Sequence, residues 1–142
     1  MNAGKGIKVI VSMIGLDGHS TGAEVVSMIL RDAGMEVIYL GNNQTPEMIA
    51  HAAIQEDVDV VGISSHAMNY DQIEELVALL REKGLGDVLV LCGGNIPRQQ
   101  AQKLKEKGVA EVFPPGSSSE SMISFIVNQV GTKRSGSAAA TT

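Results

Sequence analysis

The chain has 142 residues, 44% of them hydrophobic, with a formal net charge of −5 and a single cysteine, Cys92. That length fits one domain with a real core, and the lone thiol excludes an internal disulfide. The acidic balance, without a basic patch interleaved with aromatics, argues against nucleic acid as a partner. No run of about 18 apolar residues is present to span a bilayer. The first residues lack the apolar core and cleavage site of a secretory signal, so a reducing cytoplasm is the expected location.

Taken in order, apolar runs alternate with amphipathic stretches. Residues 7–14 read as a first strand, apolar except for Lys8 and Ser12, as suits a parallel strand covered on both faces. A polar loop follows, Gly15-Leu16-Asp17-Gly18-His19-Ser20-Thr21. The spacing of Val26, Ile29, Leu30 and Ala33 predicts a helix over 22–33, stopped by Gly34. A second strand is expected at 35–40, then a polar loop, Gly41-Asn42-Asn43-Gln44. Thr45-Pro46 is a cap followed by proline at the first helical position, which starts a helix reaching residue 56. A third strand covers 58–64. The next helix, capped by Asn69 or Asp71, carries Ile73, Leu76, Val77 and Leu80 and is broken by Gly84 and Gly86. A fourth strand at 87–92 leads into Gly93-Gly94-Asn95-Ile96-Pro97, and a helix over 98–107 is closed by Gly108. A short fifth strand at 111–113 precedes Pro114-Pro115-Gly116-Ser117. The last helix, 119–130, turns Ile123, Ile126, Val127 and Val130 inward. Residues 131–142 are small and polar and are expected to form a disordered tail, leaving one domain over 1–130.

This alternation predicts an α/β fold: a flavodoxin-like (Rossmann-like), doubly wound five-stranded parallel sheet with strand order 2-1-3-4-5. Such sheets bind ligands beyond the carboxyl ends of the strands, at the switch between strands one and three. The loops at that edge, around His19, Asn42, His66, Gly94 and Gly116, are also the most polar or glycine-rich in the chain. They point to a binding edge, although a fold alone does not name the ligand.

Each of these residues has a plain structural reading beside the functional one. His19 alone would be a surface histidine. Asp17, two positions earlier, can take the proton of one ring nitrogen and leave the other free for a metal; by itself Asp17-Gly18 is also turn chemistry. Gly22 is either a helix-start glycine or the place where a bulky ligand lies against the first turn. Ser64 can cap a strand end, Gly93-Gly94 can make a tight turn, and the serines at 117–119 can cap a helix. Cys92 reads as a buried strand residue, His51 as exposed, and the methionines as core filler apart from Met68 in an edge loop.

Asp17-Gly18-His19-Ser20-Thr21-Gly22 matches the D-x-H-x-x-G pattern of cobalamin-binding domains. With Gly15-Leu16 ahead of it, and with Gln44-Thr45-Pro46, Cys92-Gly93-Gly94, Ile96-Pro97 and Pro115-Gly116, the chain resembles the cobalamin-binding domain of the acyl-CoA mutases, the methylmalonyl-CoA mutase group, from Lys8 to about Val130. The resemblance implies that His19 is the lower axial ligand of cobalt, replacing the benzimidazole base of the cofactor. Asp17 then accepts a hydrogen bond from the other nitrogen of His19. Gly22 would line the slot for the displaced nucleotide tail, and Ser64, the serine of an S-x-L element, would hydrogen-bond the displaced base. Gly93 and Gly94 would let the tail pass close to the backbone. Gly18, Ser20, Thr21, His66, Gly116 and Ser117 complete the expected cofactor contacts. Three positions depart from the pattern: His66 replaces the leucine of S-x-L, Ser20-Thr21 replaces an Asp-Arg pair, and Met13 stands where many relatives carry lysine.

The implied cofactor is adenosylcobalamin (cobalt), and the implied reaction is a radical carbon-skeleton rearrangement in which the cofactor supplies the radical. The chain holds no counterpart of the barrel that shields radicals. It is therefore expected to be a small subunit docked on a large (β/α)8 subunit, in a heterotetramer. The expected substrates are methylmalonyl-, isobutyryl-, butyryl- or 2-hydroxyisobutyryl-CoA, held mainly by the partner. Other readings stay open: a glutamate-mutase-type small subunit, a corrinoid methyl-transfer protein, a flavodoxin-like FMN electron carrier, a phospho-receiver domain, a metal module built from Asp17, His19 and His66, or a cobalamin-binding sensor. The scarcity of aromatics, two Tyr, two Phe and no Trp, counts against the flavin carrier, and a serine at position 64 against the receiver.

Overall fold

The computed structural model describes residues 4–14, 20–65, 70–114 and 116–141, with the side chains of 20, 21, 42 and 132–141 outside that description. Strands and helices alternate: β1 (Lys8–Ile14), α1 (Ser20–Asp32), β2 (Glu36–Gln44), α2 (Pro46–Glu56), β3 (Val60–Ser65), α3 (Tyr70–Glu82), β4 (Leu89–Gly94), α4 (Arg98–Glu106), β5 (Glu111–Phe113) and α5 (Ser119–Thr141). The strands form one parallel sheet in the order β2-β1-β3-β4-β5, the topology expected from the sequence.

Side chains alternate between the two faces of each strand. On one face Val9, Val11 and Met13 of β1, with Val60, Leu89 and Leu91, meet Ala23 and Leu30 of α1 and Ile126 and Val130 of α5. On the other face Ile10, Ile14, Val61, Ile63, Val90 and Cys92 meet apolar side chains of α2, α3 and α4, among them Ile49, Ile73, Leu76 and Leu104. Both faces being covered explains why the strands read as unbroken apolar runs. Each fully buried aliphatic side chain contributes about 1.5–3 kcal/mol.

β4 shifts by two residues and takes in Gly93 and Gly94, which the sequence placed in the loop after it, and two elements differ more from the sequence reading. The polar stretch 41–44 continues β2 instead of forming a loop. Its backbone pairs with β1, Ser12 with Gly41 and Ile14 with Gln44, through two register shifts. Gly41 (φ 77°) and Asn43 (φ 63°) take the left-handed conformation there, so this end of the strand bulges. The buried Ser12 hydroxyl donates to the Gly41 carbonyl at 3.1 Å, pinning the bulge to β1. The second difference is at the carboxyl end, where α5 runs to Thr141 in place of the expected disordered tail. Extending a helix already nucleated on the core costs little per residue, and Ala138-Ala139-Ala140 are the best helix formers.

The start of α2 follows its sequence signal. Thr45 is the N-cap, its side chain accepting from the Met48 amide at 3.1 Å, with Pro46 in the first turn. Thr45→Ala is expected to lower stability by about 1 kcal/mol. Urea unfolding should show an earlier midpoint with an unchanged slope.

Candidate functional site

Strands β1, β3 and β4 and the end of β5, together with α1 and α5, line a slot of about 330 Å³ on the α1–α5 face of the sheet, reaching from Val9 and Val60 near the strands' amino ends to Gly94 at the carboxyl end of β4. Its floor is two registered rows. Val11 pairs with Gly62 and Gly62 with Leu91; one step further out, Ser64 pairs with Gly93 and Gly93 with Phe113. Gly22, Ala23 and Val26 of α1 form one wall, and Met122 and Ile126 of α5 the other. Phe113 and Phe125 meet edge to face, with ring centroids 5.8 Å apart, and tie α5 to the end of β5. Such a pair is worth about 0.5–1.5 kcal/mol beyond its buried area.

Glycines keep the slot open. Among the described residues a Cβ at Gly22 would meet no atom within 4 Å. At Gly62 and Gly93 the only described neighbour within that distance is a carbonyl oxygen of the adjacent strand, of Ile10 and of Phe113, each at 3.7 Å. No described atom of α1 or α5 comes that close to either floor position. An ordinary side chain at any of the three would stand in the slot. These positions form a cradle for a flat group lying between sheet and helix.

Polar side chains are few. The Ser117 hydroxyl is already used, donating to the Pro114 carbonyl at 2.6 Å. Ser64 is half-buried on the floor, and among the described residues nothing hydrogen-bonds its hydroxyl. Cys92, between the two floor rows, belongs to the opposite core, where burial pushes its thiol up to about 12. It is therefore a protonated thiol at neutral pH and inert.

Of the residues singled out in the sequence, Gly22, Ser64, Gly93, Gly94, Gly116 and Ser117 all line this one slot. Asp17, Gly18, His19, His66 and Met68 lie outside the described residues. Ser20 and Thr21 open α1, with their side chains outside the description. Asn42 lies on β2, away from the slot lining. Sequence reasoning missed Gly62. Its signal was a lone glycine inside an apolar strand, which marks close approach by a ligand or another backbone. Among the described residues no three His, Cys, Asp or Glu side chains group to hold a metal ion, and no helix is long and apolar enough to cross a membrane.

A doubly wound sheet with a glycine-floored apolar slot at its switch edge defines a binding domain for a ligand with a flat, largely apolar part. The B12 binding domain family matches residues 7–122, and the chain belongs to that family. It is 42% identical over 125 residues to the 2-hydroxyisobutanoyl-CoA mutase small subunit of Aquincola tertiaricarbonis, covering 84% of this chain and 92% of that one. It is also 42% identical over 120 residues to the pivalyl-CoA mutase small subunit of Xanthobacter autotrophicus, covering 84% and 81%. A solved cobalamin-binding protein from Desulfitobacterium hafniense has the same fold, with a TM-score of 0.76 over 88% of this chain and 59% of that one at 20% identity. The kinship read from the D-x-H-x-x-G motif is borne out.

Cys92 offers a check on the packing beneath the slot. Dithionitrobenzoate is expected not to label it in the native chain and to label it fully in denaturing urea. Rapid native labelling would show that β4 opens locally.

Proposed function

We propose that this chain is the cobalamin-carrying small subunit of an adenosylcobalamin-dependent mutase that rearranges the carbon skeleton of a short acyl-CoA. The slot carries this reading: its glycine cradle and apolar walls fit the heteroaromatic base at the end of the cofactor's nucleotide tail. The match to the two mutase small subunits, over most of both chains, supports it.

In this reading the protein binds and orients, and the bound cofactor supplies the radical from its cobalt–carbon bond. Gly22, Gly62 and Gly93 make room for the base, and the Ser64 hydroxyl donates to it. Gly94, Gly116 and Ser117 line the mouth of the slot, where the tail enters. From the motif, His19 would hold the cobalt through one ring nitrogen, and Asp17 would accept a hydrogen bond from the other, fixing the ring. Gly18, Ser20, Thr21 and His66 are assigned to the same edge. Met13 is fully buried in the core under α1, so no cation reaches the Asp17–His19 pair from that position.

The acyl-CoA site and the shield for radicals belong to a large (β/α)8 subunit, with which this chain forms a heterotetramer in the cytoplasm. Two relatives equally similar to this chain are named for different acyl groups. Choice of substrate therefore rests with the large subunit.

The test is electron paramagnetic resonance of the cobalt(II) form bound to the chain and its large subunit, with nitrogen-15 in the benzimidazole. The expected spectrum shows coupling to a histidine nitrogen, lost in His19→Ala. Asp17→Asn is expected to weaken cofactor binding or acyl-CoA isomerisation about 10- to 100-fold. Coupling to the labelled benzimidazole in the unmodified chain would overturn the assignment.

A further inference from the structure

We infer that the slot selects among cobalamin-like cofactors by their lower base, admitting a benzimidazole and disfavouring a purine, and that Gly62 and Ser64 set this choice. The inference rests on the cobalamin reading above and goes beyond it, from the class of cofactor to the chemistry of its tail.

Depth comes first. Gly62 lies in the middle of the floor, between Val11 and Leu91. Among the described residues nothing from either covering helix comes within 4 Å of the position its Cβ would take. A flat bicyclic ring can settle there against bare backbone. A branched side chain at 62 would fill that place and hold the ring off the floor.

Polarity comes second. Once off cobalt, a dimethylbenzimidazole presents one free ring nitrogen, and the rest of its edge is hydrocarbon. On the floor the slot offers one matching donor, the Ser64 hydroxyl, which no described residue engages, among walls built from side chains such as Val26, Leu91 and Ile126; of the other polar side chains in the lining, Ser117 is already used and Asn95 stands exposed past the end of β4. The backbone of the inner floor row, Val11, Gly62 and Leu91, is committed to the ladder between strands. Adenine has a similar outline but carries further ring nitrogens and an exocyclic amine. Desolvating these groups without partners is unfavourable. An apolar pocket rejects such a near-isostere only moderately, so the expected discrimination is about 10- to 100-fold.

Equilibrium dialysis of the full chain tests this, with adenosylcobalamin, its adeninyl counterpart, and adenosylcobinamide, which has no base. The unmodified chain is expected to bind the benzimidazole form about 10- to 100-fold more tightly than the adeninyl form. Gly62→Val is expected to bring the benzimidazole form down to the affinity of cobinamide and to leave cobinamide unchanged. Gly62→Ala should act in the same direction more weakly, and serves if the valine variant does not fold. Ser64→Ala should weaken the benzimidazole form about fivefold, again without effect on cobinamide. Equal affinity for the two bases, or a loss shared by cobinamide in the Gly62 variants, would overturn the inference while leaving the cobalamin reading intact. Failure to bind all three, even with the large subunit present, would instead overturn the cobalamin reading itself.

Discussion

A parallel sheet is stable when helices bury both of its faces, yet a ligand that inserts between sheet and helix needs part of one face left bare. The chain resolves this conflict by dividing the labour between the faces. The face under α2, α3 and α4 holds the large continuous core. The face under α1 and α5 is packed through Met13, Met35, Leu89 and Val130 and leaves a slot over Gly62, Ser64 and Gly93, with Val9, Val60 and Leu30 both packed in this core and lining the slot. Side chains deep in the sheet hold α1 and α5 in place, so the slot does not depend on contacts at its own mouth. The apolar lining of the slot becomes a source of affinity when a ligand covers it, at about 25 cal/mol for each Å² removed from water.

The hollow is made largely by omission. Gly62 and Gly93 sit at floor positions where neighbouring residues of the same strands, Val60 and Leu91, fill space. Gly22 does the same from the helix side. Widening a slot by moving whole helices would disturb the core beneath. Removing side chains at three positions, two on the floor and one on the helix above it, widens it without shifting an element. The cost is borne locally, by one floor glycine in each of two strands, and β3 and β4 offset it by lying in the interior of the sheet with partners on both sides.

Much of this architecture was legible in the sequence. Strand order, the cap at Thr45-Pro46 and the gathering of Gly22, Ser64, Gly93 and Gly116 at one edge followed from periodicity, turn chemistry and motif. What escaped did so for physical reasons. Asn42 and Asn43 look like loop because their side chains are polar, but β2 there is held through its backbone, which polarity does not report. Gly62 was hidden inside an apolar run, where a missing side chain is a weaker signal than a present one. The helical end of α5 was hidden because a small, polar composition says nothing about a helix that has already been started upstream.

The bulged end of β2 has a consequence away from the slot. β2 and β5 are the two margins of the sheet. A long, flat margin invites another extended chain to add itself through free backbone groups. Here one margin is three residues long, and the other is broken by two register shifts and two left-handed residues, fastened by a buried serine. Neither offers a straight template. A chain with two such margins is in this way kept from polymerising with copies of itself.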